Sequence, residues 1–335
     1  MNNLNELENI PNPSQPVILP PFISAEDLQA KIKARRENAR IRQQMSRSSQ
    51  SSEKDASLLD DGSIGISKLK KLHKLDISFS PITDESTVEI SSMINITSLN
   101  IAYCMEITDI GFYYLSMLTN LTILDIRDCV VSNKVLEYLS TLTNLVSLDL
   151  KWCSIIKDDG TIHLSNLINL TYLDLANSRL SNLNFLIPLV NITYLDLSRS
   201  LCWAGENNLN LDNNVFLPIS NLTKITSLDL STSFSLHFHD PLAINFLSNL
   251  TNLTSLSLSG LTKITNLTPL ESLVKLKYLN LDNCVGIRDE QMIIMSYLTK
   301  LERLQIDGCN LTKETYDYLR SLDLNITTNN WFPLF

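Results

Sequence analysis

At 335 residues with 44% apolar side chains the chain is long enough for one large core or two ordinary ones, and 8 Gly with 11 Pro exclude a collagen-like or low-complexity sequence. A net charge of -9 argues against nucleic acid on the body of the chain, because phosphate backbones are held by basic footprints. No apolar run approaches the roughly 18–20 residues that span a bilayer, and the start, MNNLNELENIPNPSQPVILPP, has neither a basic n-region nor an apolar h-region. The expectation is a cytoplasmic chain with no transmembrane segment, with delivery into a host cell by a signal-less route left open.

Residues 1–23 are rich in Pro and Asn, lack a periodic apolar pattern and read as disordered. Ser24 opens a capping-box-like S-A-E-D before LQAKIKARRENARIRQQMSR, so 24–50 reads as a basic helical arm. Seven basic residues face three acidic ones between Ser24 and Arg47, a net of +4 that leaves -13 on the rest. A basic arm on an acidic body suggests intramolecular docking of the one on the other. Residues 51–66 serve as linker and N-terminal cap.

From residue 67 onward one pattern recurs, L-x-x-L-x-L-x-x-C/N/S, in segments such as LTILDIRDC, LVSLDLKWC, LTYLDLANS and LKYLNLDNC. The copies begin at Leu72, Ile96, Leu121, Leu145, Leu170, Ile192, Ile225, Leu253, Leu276 and Leu301. In L-x-L the two apolar residues point to one side of a short strand and the residue between them to the other. No copy can bury its apolar edge alone, so neighbours must stack. The return segments TDIGFYYLSML, NKVLEYLSTL, DEQMIIMSYL and KETYDYLRSL have the apolar spacing of short helices. SRLSNLNFLIPLV and LTKITNLTPLESLV carry Pro and predict turns or 3₁₀ pieces.

Over about residues 67–324 this pattern resembles leucine-rich repeats. Copies ending in Cys104, Cys129, Cys153, Cys284 and Cys309, several followed by an I-T-D-x-G-like helix start, resemble the cysteine-containing repeats of F-box leucine-rich-repeat proteins. Those at 170–191 and 253–275 resemble the 22-residue repeats of internalins and of protein-phosphatase regulatory subunits. The resemblance implies an α/β leucine-rich-repeat solenoid, a curved horseshoe with a parallel concave sheet and short helices or turns on the convex side. Residues 67–318 form the repeats and 319–335, with Trp331 and Phe332, a C-terminal cap.

Five of the six cysteines share one repeat position just after the strand, which predicts buried structural thiols rather than a zinc or disulfide framework. Ten N-x-S/T sequons occur, but Asn95, Asn120, Asn169, Asn191 and Asn252 stand immediately before the repeat origin, so the sequon reads as a by-product of the N-L-T consensus. His237, His239 and Asp240 are a weak metal motif in a loop. No nucleophile elbow, zincin, phosphate-loop or dinucleotide motif occurs, so neither enzymatic chemistry nor a cofactor is expected.

The expected function is a non-catalytic protein–protein interaction module that binds a protein on its concave face. The outward residues there include an acidic row, Asp125, Asp149, Asp174, Asp196 and Asp229, whose repulsion a partner of basic character would relieve. Such an Asp is also common in L-D-L for structural reasons, and both readings stay open. Phe79, Tyr103, Trp152, Tyr172 and Tyr194, interleaved with Arg127, Lys151 and Arg199, complete the predicted contact set. The long interval after Ile192 predicts a projecting loop carrying Trp203 and Phe216. A second expectation is a substrate-recognition adaptor of a ubiquitin ligase: VILPPFISAEDLQAKI offers a Leu-Pro and a following helix where an F-box would lie, and then departs from it by turning strongly basic.

Overall fold

A computed structural model describes residues 71–201, 213–232, 244–322 and 324–327. The basic arm, the linker, the F-box-like stretch, Cys202, Trp203, His237, His239, Asp240, Trp331 and Phe332 lie outside the described residues.

Every copy of L-x-L becomes a three-residue strand. They are β1 Lys74–Asp76, β2 Ser98–Asn100, β3 Ile123–Asp125, β4 Ser147–Asp149, β5 Tyr172–Asp174, β6 Tyr194–Asp196, β7 Ser227–Asp229, β8 Ser255–Ser257, β9 Tyr278–Asn280 and β10 Arg303–Gln305. An eleventh, β11 Asn325–Thr327, extends the sheet past residue 318 into the segment read as a cap. All eleven pair in chain order and in parallel. The register stacks Leu75, Leu99, Leu124, Leu148, Leu173, Leu195, Leu228, Leu256, Leu279 and Leu304 in one line that Ile326 closes. The ten leucines are buried, as are the apolar residues two positions later, from Ile77 to Ile306.

The residue between those two apolar positions ends each strand. In eight repeats its side-chain oxygen accepts the backbone N–H two residues on, from Asp76 with Ser78 to Asn280 with Asp282, at 2.8–3.2 Å. Asp and Asn do this well because their short side chains mimic a backbone turn. The aspartate row therefore has a structural task in every repeat that carries it.

The cysteine position makes a bond between repeats. Each thiol donates to the carbonyl that follows the previous repeat's strand: Cys104 to Ile77, Cys129 to Ile101, Cys153 to Ile126, Cys284 to Leu258 and Cys309 to Leu281, at 3.1–3.4 Å. Burial pushes the Cys104 and Cys309 thiols up to about 12, so they stay protonated and inert. Ser200 fills the same place and donates to Leu175 at 2.6 Å, whereas the equally buried Ser178 hydroxyl finds no acceptor. Ser200→Ala is thus expected to cost about 1–2 kcal/mol and Ser178→Ala nothing or a slight gain. Urea midpoints of the two variants check this, and equal losses would contradict it.

The return segments divide into two types. Helices α1 Asp84–Ser91, α2 Asp109–Leu115, α3 Asn133–Leu139 and α4 Asp158–Thr161 follow β1 to β4, α5 Leu217–Ser220 precedes β7, and α6 Lys313–Arg320 follows β10. The Pro-bearing segments form 3₁₀ turns at Asn184–Leu186 and Thr268–Leu270, as their sequence predicts. Asp289–Ser296 corrects the expectation of an α-helix, since it is 3₁₀ throughout. Its buried side chains are Met292, Ile294 and Met295, with Leu298 beyond.

The helix starts are stapled to one another. Asp84 accepts the Thr108 amide at 2.8 Å, its hydroxyl at 2.6 Å and the Gly111 amide at 3.0 Å. Asp109 accepts the Ser132 hydroxyl, Asn133 the Lys157 amide and Asp289 the Thr312 amide in the same manner. Glycine in the T-D-x-G start follows from this contact, because a Cβ on Gly111 would stand 2.5 Å from Asp84 Oδ1.

Phe216 corrects a further expectation. Rather than projecting with the insertion, it is 1% exposed and stacks on Phe246 at 5.1 Å between ring centroids.

Candidate protein-docking face

The strands turn two rows of side chains away from the core, and the turn beyond them adds a third. The first strand position carries Tyr172 and Tyr194, which the register of β5 and β6 sets side by side, rings stacked at 4.3 Å and 8°. The third position carries the aspartates. Three residues past the end of each of the first ten strands the backbone enters the left-handed region, and this position forms the rim.

The rim breaks the usual rule for such a position. Gly260 and Gly308 occupy it in two repeats, but in eight it holds a side chain at φ 50–65°, among them Phe79, Tyr103, Trp152 and Arg199. Left-handed backbone costs an L-residue roughly 1–2 kcal/mol, and bulky residues rarely adopt it. Backbone N–H groups hold the geometry by reaching the next repeat, as Phe79 does to the Ala102 carbonyl at 2.8 Å and Trp152 to that of Ala176 at 2.8 Å. The aromatic rings meet across repeats: Phe79 stacks on Tyr103 at 4.3 Å and 10°, and Tyr103 meets Trp152 edge-on at 6.4 Å.

Behind the rim the acidic row is largely closed. Asp149, Asp174 and Asp196 are 9%, 2% and 4% exposed, while Asp125 and Asp229 are half-buried. Internal cations already answer much of the repulsion. Arg127 makes a forked contact with Asp125, 2.6 Å at its shortest, and lies 3.4 Å from Asp149. Lys151 Nζ stands 3.7 Å from Asp174 and 3.6 Å from Asp196, and 6.0 Å over the Trp152 ring. This corrects the picture of an open ladder awaiting an outside charge. Among the described residues neither Arg199 nor Asp229 takes part in an ion pair, although the register sets Asp229 beside Asp196.

Burial dominates the electrostatics. It lifts the Asp174 carboxyl to about 7, helped by Asp196 and Asp149 and opposed by the Ala176 amide and Lys151. It lifts Asp149 to about 6 and also raises Asp229. Burial would lower the Lys151 ammonium, but Asp174, Asp196 and Asp149 outweigh it, and the net shift is upward. Tyr194 is pushed up to about 12 by burial and by the Asp196, Asp174 and Asp229 carboxylates, and Tyr172 is raised as well, so both tyrosines remain neutral.

Residues 141–165, from just past α3 through β4 to the following turn, match the family described as Leucine Rich repeat. The array is a leucine-rich-repeat solenoid. No curated protein matches the chain. Among solved structures the solenoid is similar to three from Listeria monocytogenes, each with a TM-score of 0.49. An internalin (inlF) is 20% identical over 78% of this chain and 88% of its own. Internalin C2 (inlC2) is 23% identical over 64% and 82%, and the functional domain of InlJ, which includes a cysteine ladder, is 22% identical over 74% and 56%.

The solenoid also accounts for the sequons. Asn120, Asn169, Asn191 and Asn252 each donate a side-chain N–H to a carbonyl of the preceding repeat at 2.8–3.1 Å. Thr122, Thr171, Thr193 and Thr254, two residues on, donate hydroxyls likewise. N-L-T is thus a pair of polar ladders flanking a buried leucine. Among the described residues no group of His, Cys, Asp and Glu is arranged to hold a metal ion, and no helix is long and apolar enough to cross a membrane. The left-handed rim is the feature that sequence reasoning missed. Its usual signal is glycine, and here glycine marks it only at Gly260 and Gly308.

Proposed function

We propose that this solenoid is a non-catalytic docking module that grips a protein partner on its sheet face, over the aromatic rim of repeats one to four. Leucine-rich-repeat solenoids are typically binding modules, because stacked repeats present an extended surface that no single repeat owns. The observation that carries the reading is the residue choice at the left-handed position. Glycine serves there without strain at Gly260 and Gly308, yet Phe79, Tyr103 and Trp152 are used where their rings touch. Strain retained at one surface position is characteristic of functional sites, and Trp and Tyr are the side chains most enriched among interface hot spots. Five carboxylates against Arg127, Lys151 and Arg199 leave the face net acidic, which favours a partner with basic character.

The same geometry supplies a clean variant. Phe79→Gly, Tyr103→Gly and Trp152→Gly together remove the rings while relieving strain of about 1 kcal/mol each, against roughly 0.5–1.5 kcal/mol lost per ring contact, so the fold is expected to keep its thermal midpoint within a few degrees. A photo-crosslinker at Ser78 in the full chain should capture a defined protein from the native host, and the triple variant should lose at least tenfold of that capture. Undiminished capture, or collapse of the thermal midpoint, would assign the rings a purely structural role.

A further inference from the structure

We propose that the buried row Asp149–Asp174–Asp196, with Lys151 between its last two members and Arg127 at its near end, holds a proton close to neutral pH and so acts as a charge switch for the sheet face. The register places the three carboxylates opposite one another on adjacent strands, a spacing of about 4.8 Å. All three are at least nine-tenths buried, which penalises every charge added there.

The groups facing the row come from five strands and the turns beyond them. Asp125 and Arg127 belong to β3 and its turn, Lys151 to the turn after β4, Tyr172 to β5, Tyr194 to β6 and Asp229 to β7. Arg127 is engaged mainly by Asp125 and reaches Asp149 only at 3.4 Å. Lys151 is a single charge shared by Asp174 and Asp196. The tyrosines bring hydroxyls and no charge, and Asp229 adds a further carboxylate. Three ionised carboxylates would therefore face less than two full compensating charges, and one proton settles the difference. The positions of Asp149 near 6 and Asp174 near 7 agree with that count. Sites this strongly coupled share the proton as a set.

The sign follows from linkage. Aspartates ionise near 4 in the unfolded chain, so the raised folded values of Asp149 and Asp174 stabilise the fold fully below about pH 4, and that contribution is lost as the pH climbs through 6 to 7. Over the same interval the face becomes more negative. The switch is a property of the folded chain, whereas its consequence, a tighter hold on a basic partner at higher pH, rests on the docking reading above.

Carbon-detected NMR of the aspartate carboxyls in the full chain, with thermal midpoints from pH 5 to 8.5, tests the switch. At least one carboxyl of the row should titrate between pH 6 and 8, and the midpoint should fall by roughly 5 °C across that range. Asp174→Asn keeps an oxygen for the Ala176 amide and should flatten the fall, while Asp159→Asn, at an exposed site on α4, should leave it intact. If every carboxyl of the row titrates below pH 5, or Asp174→Asn and Asp159→Asn behave alike, the switch is refuted. Capture by the aromatic rim would be untouched by that failure.

Discussion

Phe216→Ala lowers the stability of the solenoid by about 3–5 kcal/mol and splits its unfolding into two steps. The first effect follows from burial: the ring is 1% exposed, stacks on Phe246 and sits just before Pro218 and Ile219, which α5 also buries. The second follows from architecture. A solenoid's stability is a sum of repeat terms and nearest-neighbour interfaces, and the Phe216–Phe246 stack joins the return segments on either side of β7. Weakening that joint leaves the repeats before it able to stay folded after those beyond it have opened. Urea denaturation followed by far-ultraviolet circular dichroism should show a broadened or biphasic transition, and Phe216→Leu should recover most of the loss. A single transition displaced by less than 1 kcal/mol would mean that the ring is not a joint.

Asp158→Ala costs about 2–3 kcal/mol although the side chain is not part of the apolar core. The Asp158 carboxylate accepts the Ser181 amide at 2.9 Å, the Asn182 amide at 3.1 Å and the Ser181 hydroxyl, all from the next repeat. Its loss strips three donors of their acceptor at the place where a return segment turns back along the array. A double-mutant cycle with Ser181→Ala should give a coupling near 1 kcal/mol, the share carried by the hydroxyl. Additive single effects would show that the staple is not a direct bond.

The binding face was legible in one of its dimensions. Alternation along a strand is set by covalent geometry, so the outward assignment of Asp125, Tyr172 or Lys151 follows from the L-x-L spacing alone. Whether those groups are open to a partner was not legible, because burial depends on what the neighbouring repeats lay over them. Asp174 and Asp76 stand at the same repeat position, and the structure leaves one 2% exposed and the other at the surface. The left-handed rim was hidden for a different reason. Backbone strain is inferred from glycine, and this chain meets the strain with Phe, Tyr, Trp and Arg held by inter-repeat N–H bonds. Phe216 was misread as part of the projecting loop because an insertion erases the periodicity that would have marked it as core.

By itself the sequence determined the parallel order of the repeats, ten of their strands, the inward line of leucines and the structural place of the thiols and N-L-T triplets. All of these repeat with the chain and need only local geometry and the demand that apolar edges be covered. Only the tertiary structure decided which aspartates are buried, which cations neutralise them, where the rings meet and how the helix starts are stapled. Those depend on contacts between side chains up to 49 residues apart, and their energies are set by the burial and spacing that stacking creates.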